Sequence, residues 1–183
     1  EDGLRLTLSD RADLAEVKRI RHEEAQRAAA ELGAEIRFLD AGDYPLTETP
    51  ALLDALVAIY REVQPSVVLT HGPGDPYNGD HPAAGAIALR AGQLAQAIGV
   101  PGPGDVIGAP PVFFFEPHQP EVSGFRPDVL LDITSAWERK RAAMEVYTTQ
   151  QHLWEYYSDL GRRRGVQLAR NSGPNLGKVA EGY

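Results

Sequence analysis

The sequence predicts an α/β fold, a mostly parallel sheet with helices on both faces. Helical and strand-like patterns alternate along the chain, the ordering of such folds. The central strand-like runs are continuously apolar, as parallel strands buried on both faces are. The stretches between them are rich in Gly, Pro, Asp and Asn, the residues of turns. A length of 183 residues suits one domain with a sizeable core. No boundary, internal repeat or low-complexity segment interrupts it, so residues 1–183 read as a single domain.

The first helix runs from about Ser9 or Asp13 to Leu32. Leu14, Val17, Ile20, Ala25, Ala28 and Leu32 recur at roughly helical spacing, and Gly33 supplies a stop. Residues 35–39 (Glu-Ile-Arg-Phe-Leu) read as a short strand ending in a loop at 40–45. A second helix covers residues 50–63, with Pro50 suited to its first turn and Pro65 beyond its end. Residues 66–70 form the first continuously apolar strand. A polar loop follows from His71 to Asp80, and Pro82 opens an Ala-rich helix ending near Ile98 and Gly99. Residues 112–115 are the next strand, followed by a loop at 116–120, and residues 129–133 are another. Thr134 or Ser135 caps a long helical region that reaches about Arg170, with an interruption near Gly161. Residues 171–183 carry little pattern.

Composition narrows the chemistry. A formal net charge of −8 argues against a nucleic-acid partner, although a few arginines can still build a local pocket for a small anionic substrate. Cysteine is absent, which removes thiolate chemistry, disulfides and Cys-ligated zinc. A metal must therefore take nitrogen and oxygen ligands, and five histidines compete for that role: His22, His71, His81, His118 and His152. No apolar run is long enough to span a membrane. The chain starts at Glu1 without an initiator Met and reads as a fragment or a processed chain.

Ligands of open parallel sheets collect beyond the carboxyl ends of the strands. Two polar loops fall there, one from His71 to His81 and one from Glu116 to Pro120, and each contains histidine. His81, preceded by Asp80, fits a metal ligand with a carboxylate nearby, and equally a polar neighbour of a helix cap. His118 sits between Pro117 and Pro120, which restrain the loop and suit it to a general acid or base. Its other reading is a surface histidine. His71 reads as structural, His22 and His152 as helix-surface or packing residues, and Asp40, Asp43, Asp75 and Asn78 as turn formers. Arg162–Arg164 with Arg170 read as a solvated basic face, from which one arginine turned inward would clamp a carboxylate. Trp154, Tyr156 and Tyr157 read as packing between helices or subunits.

Several segments together resemble one family. They are Arg21-His22-Glu23-Glu24-Ala25 with Glu31-Leu32-Gly33, then Gly42-Asp43-Tyr44-Pro45, then Asp75-Pro76-Tyr77-Asn78-Gly79-Asp80-His81-Pro82. Glu116-Pro117-His118-Gln119-Pro120, Leu131-Asp132-Ile133-Thr134 and His152-Leu153-Trp154-Glu155-Tyr156-Tyr157 continue the set. It resembles the PIG-L (LmbE-like) metal-dependent superfamily, and within it the 4-oxalomesaconate (4-carboxy-2-hydroxymuconate) hydratase branch, over nearly the whole chain. The resemblance implies a Rossmann-like fold, a cytoplasmic metal-dependent hydro-lyase of aromatic-acid catabolism, and zinc as the metal, with Fe2+ or Co2+ as alternatives. It implies His81 as a metal ligand, His118 as catalytic acid, and Glu1 (or Asp2 beside it) as the group that activates water. Tyr77, Asn78 and Asp80 are then candidates for substrate binding, as are Arg164 and Arg170. Asn78 stands where the deacetylases of the family carry a first His, which favours the hydratase branch. The first strand and its metal-binding loop are expected to lie outside this chain. The alternatives are zinc-dependent N-acetyl-sugar deacetylation and, behind it, a metal-free binding domain. A homo-oligomer is compatible with the C-terminal aromatic stripe.

Overall fold

The computed structural model describes residues 14–172 and 177–183. These divide into two compact units. One takes residues up to Phe38 together with Leu130–Glu181, the other Leu39–Val129 with Gly182–Tyr183.

The second unit holds the site. Its α2 (Pro50–Val63) begins where Thr49 Oγ1 accepts the Leu52 N–H at 3.2 Å, and it ends at Gln64 in the left-handed region. Leu53 and Val57 recur four residues apart, so they share one face. That face packs on Ile87, Ala91 and Ala95 of α3 (Asp80–Ala95), joined by Ile107. Small residues on α3 let the two helices approach closely. Arg61 is buried at 4% exposure because its guanidinium has work at the far end of α3. It donates to the carbonyls of Ala95, Ala97 and Val100 at 3.2, 3.0 and 3.0 Å, tying the last residue of α3 to the turn that follows it. Beside this pair, β1 (Val68–His71) lies parallel to β2 (Val112–Phe115), with Val68 opposite Val112 and His71 opposite Phe115. The parallel pairing agrees with the expected class. A short helix, α4 (Pro120–Ser123), follows β2.

In the first unit, α1 (Leu14–Leu32) packs on α5 (Trp137–Glu145), and α6 (Trp154–Ser172) lies against β3 (Leu130–Asp132). Strand β4 (Ala180–Gly182) pairs with β3. Glu24 is fully buried. Its carboxylate accepts from the Thr148 hydroxyl at 2.9 Å and from the Thr149 N–H and hydroxyl at 3.0 and 2.6 Å.

Three expectations are corrected. Residues 35–39 form no strand: they find no ladder partner among the described residues, and Phe38 instead stacks on His22 at 3.9 Å. The long C-terminal helix breaks at Tyr147, not at Gly161. Glu24 captures the Thr149 N–H, a donor the helix would otherwise use, while Gly161 stays inside α6, where it allows close packing by Val179 and Trp137. The tail also contributes a strand, β4, where no pattern announced one.

Candidate active site

The site is built on the loop between β1 and α3. Asp75 opens it with a turn of its own, its Oδ1 accepting the N–H groups of Tyr77 and Asn78 at 2.9 and 3.1 Å. The other oxygen, Oδ2, lies 2.7 Å from His81 Nδ1. The Asp75 side chain is only 3% exposed, against 36% for His81. Burial pushes the Asp75 carboxyl up, but the contact with His81 and the two backbone donors outweigh it, and its pKa falls below the usual aspartate value. Asp75 is therefore a fixed anion behind the imidazole.

On the other side of the ring, Asn78 Nδ2 lies 3.1 Å from His81 Nε2. Asn78 Oδ1 accepts the Asp80 N–H at 2.9 Å. The Asp80 carboxylate is turned away, its oxygens accepting the backbone N–H groups of Tyr44 and Leu46 at 2.8 and 2.9 Å. Asp80 thus fastens the turn at 42–46 to the first residue of α3. Tyr77, 55% exposed, stands at the loop's outer edge.

His71, the last residue of β1, stacks on His81 with centroids 4.2 Å apart and planes 13° apart, and Phe115 meets His71 edge-on at 4.5 Å. Burial, followed by the neighbouring His81, lowers the His71 pKa against the pull of Asp75, so this ring stays neutral at pH 7. Gly85, one turn along α3 from His81, lets the helix approach: a Cβ there would lie 2.2 Å from the His71 carbonyl oxygen. Across the parallel pair, β2 delivers His118 to the same carboxyl edge, three residues beyond Phe115. His118 Nδ1 is shut off from solvent, and the loop is anchored by fully buried Pro120 and left-handed Gln119.

A metal is bound by imidazole in the ring plane at about 2.0–2.1 Å. His81 fits that role, with Nε2 on the side away from Asp75 and a carboxylate at Nδ1, the arrangement that orients ligating histidines. His71 does not join it, since two nearly parallel planes do not meet within bonding distance. Among the described residues, no three His, Asp or Glu side chains converge on one point. The described residues thus fit a metal as one ligand with its orienting carboxylate. Glu1, expected to activate water, lies outside the described residues. Arg164 and Arg170 belong to α6 in the first unit, where Arg164 donates to Gln167 at 2.6 Å and Arg170 is exposed.

Comparison with known proteins sets this geometry in a family. The model described as PIG-L: GlcNAc-PI de-N-acetylase matches residues 3–92. The crystal structure of GalB, the 4-carboxy-2-hydroxymuconate hydratase from Pseudomonas putida KT2440, superposes with a TM-score of 0.90 at 45% identity, covering 98% of this chain and 77% of that one. This chain belongs to the PIG-L family. The 4-oxalmesaconate hydratase of Pseudomonas putida KT2440 is 50% identical over 159 residues, 87% of this chain and 62% of that protein. The diacetylchitobiose deacetylase of Thermococcus kodakarensis KOD1 is 30% identical over 164 residues, 84% of this chain and 58% of that protein. The chain thus spans about three fifths of the length of the curated relatives it matches. PIG-L proteins are generally metal-dependent, in keeping with the His81 donor set. Among the described residues no helix is long and apolar enough to cross a membrane.

Asp75, His71 and Gly85 were not singled out as site residues in the sequence. A glycine inside a helical pattern is a legible sign of close approach, and Gly85 carries it. The pairing of Asp75 with His81 depends on the path of the loop and has no periodic signature.

Proposed function

We propose that this PIG-L protein is a metal-dependent hydro-lyase that adds water across a carbon–carbon double bond of an unsaturated polycarboxylate of the 4-oxalomesaconate type. The observation that carries the reading is the Asp75–His81 pair at the carboxyl edge of β1, with His118 delivered to that edge by β2. The 50% identity to a hydratase supports it. A divalent ion, zinc with ferrous iron or cobalt as alternatives, would supply Lewis-acid activation of water when bound. His81 would be one of the residues that hold it. Hydration places a hydroxyl on one carbon and a proton on its neighbour. His118 delivers that proton, a role suited to an imidazole on a restrained loop. Glu1 holds the attacking water. Tyr77, Asn78, Arg164 and Arg170 are the candidates to contact the substrate, the arginines through its carboxylates. Asp80, with its oxygens committed to the 42–46 turn, contributes by shaping the loop. The substrate is a small anion met in the cytoplasm.

His118→Ala tests the reading. Its hydration rate should fall by about 10²–10⁴, the usual contribution of a positioned general acid. Turnover at the parent rate removes His118 from the mechanism. Stripping the metal with a chelator should abolish hydration, and adding back one divalent ion should restore it. The likeness to the diacetylchitobiose deacetylase supplies the second reading, hydrolysis of an N-acetyl amide. Side-by-side assays with an N-acetyl sugar and an unsaturated tricarboxylate separate the two.

A further inference from the structure

We infer that Asp75 and Asn78 together lock the tautomer of His81, with Asp75 as a positioning residue for metal binding and Asn78 as a placeholder on the metal-facing nitrogen. The inference rests on His81 being a metal ligand, as in the function proposed above.

The argument is a chain of donors and acceptors. The backbone N–H of Asp80 can only donate, so the Asn78 atom that meets it at 2.9 Å is the carbonyl oxygen. The amide nitrogen of Asn78 is then the atom facing His81 Nε2 at 3.1 Å. An amide nitrogen donates and does not accept, so Nε2 must offer its lone pair. A neutral imidazole with an accepting Nε2 carries its proton on Nδ1, and Nδ1 points at Asp75 Oδ2, 2.7 Å away and almost fully buried. Asp75 cannot turn from this task, because its Oδ1 is committed to the N–H groups of Tyr77 and Asn78. His71, stacked at 13° on the ring, fixes its plane. The lone pair a metal needs is thus already in the required tautomer before any ion arrives. The Asn78 amide occupies its direction and must yield to the ion.

The two residues therefore act with opposite sign. Asp75→Asn keeps the shape and inverts the hydrogen-bond logic. The new amide oxygen is held by the two backbone donors, its NH2 faces Nδ1, and the proton is driven to Nε2, where it opposes the Asn78 NH2. Zinc affinity should fall by about 10–100-fold, the usual loss on removing such an orienting partner. Asn78→Ala removes the competitor and should raise zinc affinity several-fold.

The experiment uses the metal-free protein and its variants. Nitrogen-15 NMR of the imidazoles reads the tautomer, and competition of zinc with a chromophoric chelator reads affinity. Thermal unfolding of each variant without metal checks folding. The expected result is a protonated Nδ1 in the parent, a protonated Nε2 in Asp75→Asn, and zinc affinities that move in opposite directions in the two variants. A parent ring protonated on Nε2, or an Asp75→Asn variant that folds and binds zinc as tightly as the parent, overturns the inference. If Asp75→Asn fails to fold, the parent tautomer and the sign of the Asn78→Ala shift decide alone. No readout involves substrate, so failure of the hydratase reading leaves these outcomes intact, and failure here leaves the His118 test standing.

Discussion

Gly85→Ala tests whether the approach of α3 to β1 sets the active site. The added Cβ falls 2.2 Å from the His71 carbonyl oxygen and 3.1 Å from its carbon. Carbon–oxygen contacts between packed elements settle near 3.3–3.6 Å, so helix and strand must part by about 1 Å. Two effects compete. Alanine favours the helix over glycine by about 1 kcal/mol. Overpacking a close contact costs about 1–3 kcal/mol, and the upper end applies because the obstacle is backbone rather than a flexible side chain. The variant should therefore lose about 1–2 kcal/mol, equivalent to a Tm lower by about 2–8 °C for a chain of this size. Gly79→Ala is the control. No atom lies within 4 Å of its added Cβ, and its φ of −63° and ψ of −22° already suit alanine. That variant should gain about 0.4–1 kcal/mol through the unfolded chain. Urea titration followed by circular dichroism compares the two. Because the clash displaces His71, the imidazole resonances of His71 and His81 should shift in Gly85→Ala and stay put in Gly79→Ala. Equal stability of the two variants would refute the close-approach argument.

Two further substitutions probe buried polar groups. Burial pushes the Glu24 carboxyl up, but the Thr149 and Thr148 donors and the charge of Arg21 prevail, so its folded pKa lies below the ordinary value. Such a group contributes stability above its unfolded pKa and loses it as pH falls through the folded one. Glu24→Gln should cost about 1–3 kcal/mol at pH 7, and the gap to the parent should narrow below about pH 4. Denaturant titrations that give a gap independent of pH would contradict this. Arg61→Lys offers one compact ammonium where a planar fork spans three carbonyls, and it should lower stability by about 1–3 kcal/mol in thermal unfolding.

The fold was legible wherever local patterning and burial agreed. Helix α2 falls at its expected limits because Pro50 and Pro65 mark its ends in sequence. Strand β2 does so because Val112–Phe115 is an uninterrupted apolar run. Elements set by distant partners were not legible. The break at Tyr147 is imposed by Glu24, 124 and 125 positions from the threonines it binds. Strand β4 exists because β3 pairs with it, and residues 35–39 lack such a partner despite a suitable composition. The site divides in the same way. His81 and His118 were visible as histidines beyond apolar strands. Asp75 looked like a turn former, and it is one: a single oxygen makes the turn while the other faces the imidazole.

Arg61 gives this architecture a lever. Helix α3 has 16 residues, so it is a rod about 24 Å long. One end carries His81 in its first turn, and the guanidinium of Arg61 grips the other. A rod of that length tilted by two or three degrees at its gripped end swings the free end by about 1 Å, more than the roughly 0.5 Å within which a functional side chain must be held. Substitutions that loosen the 95–100 segment therefore belong among those that detune chemistry, though none of them touches a substrate.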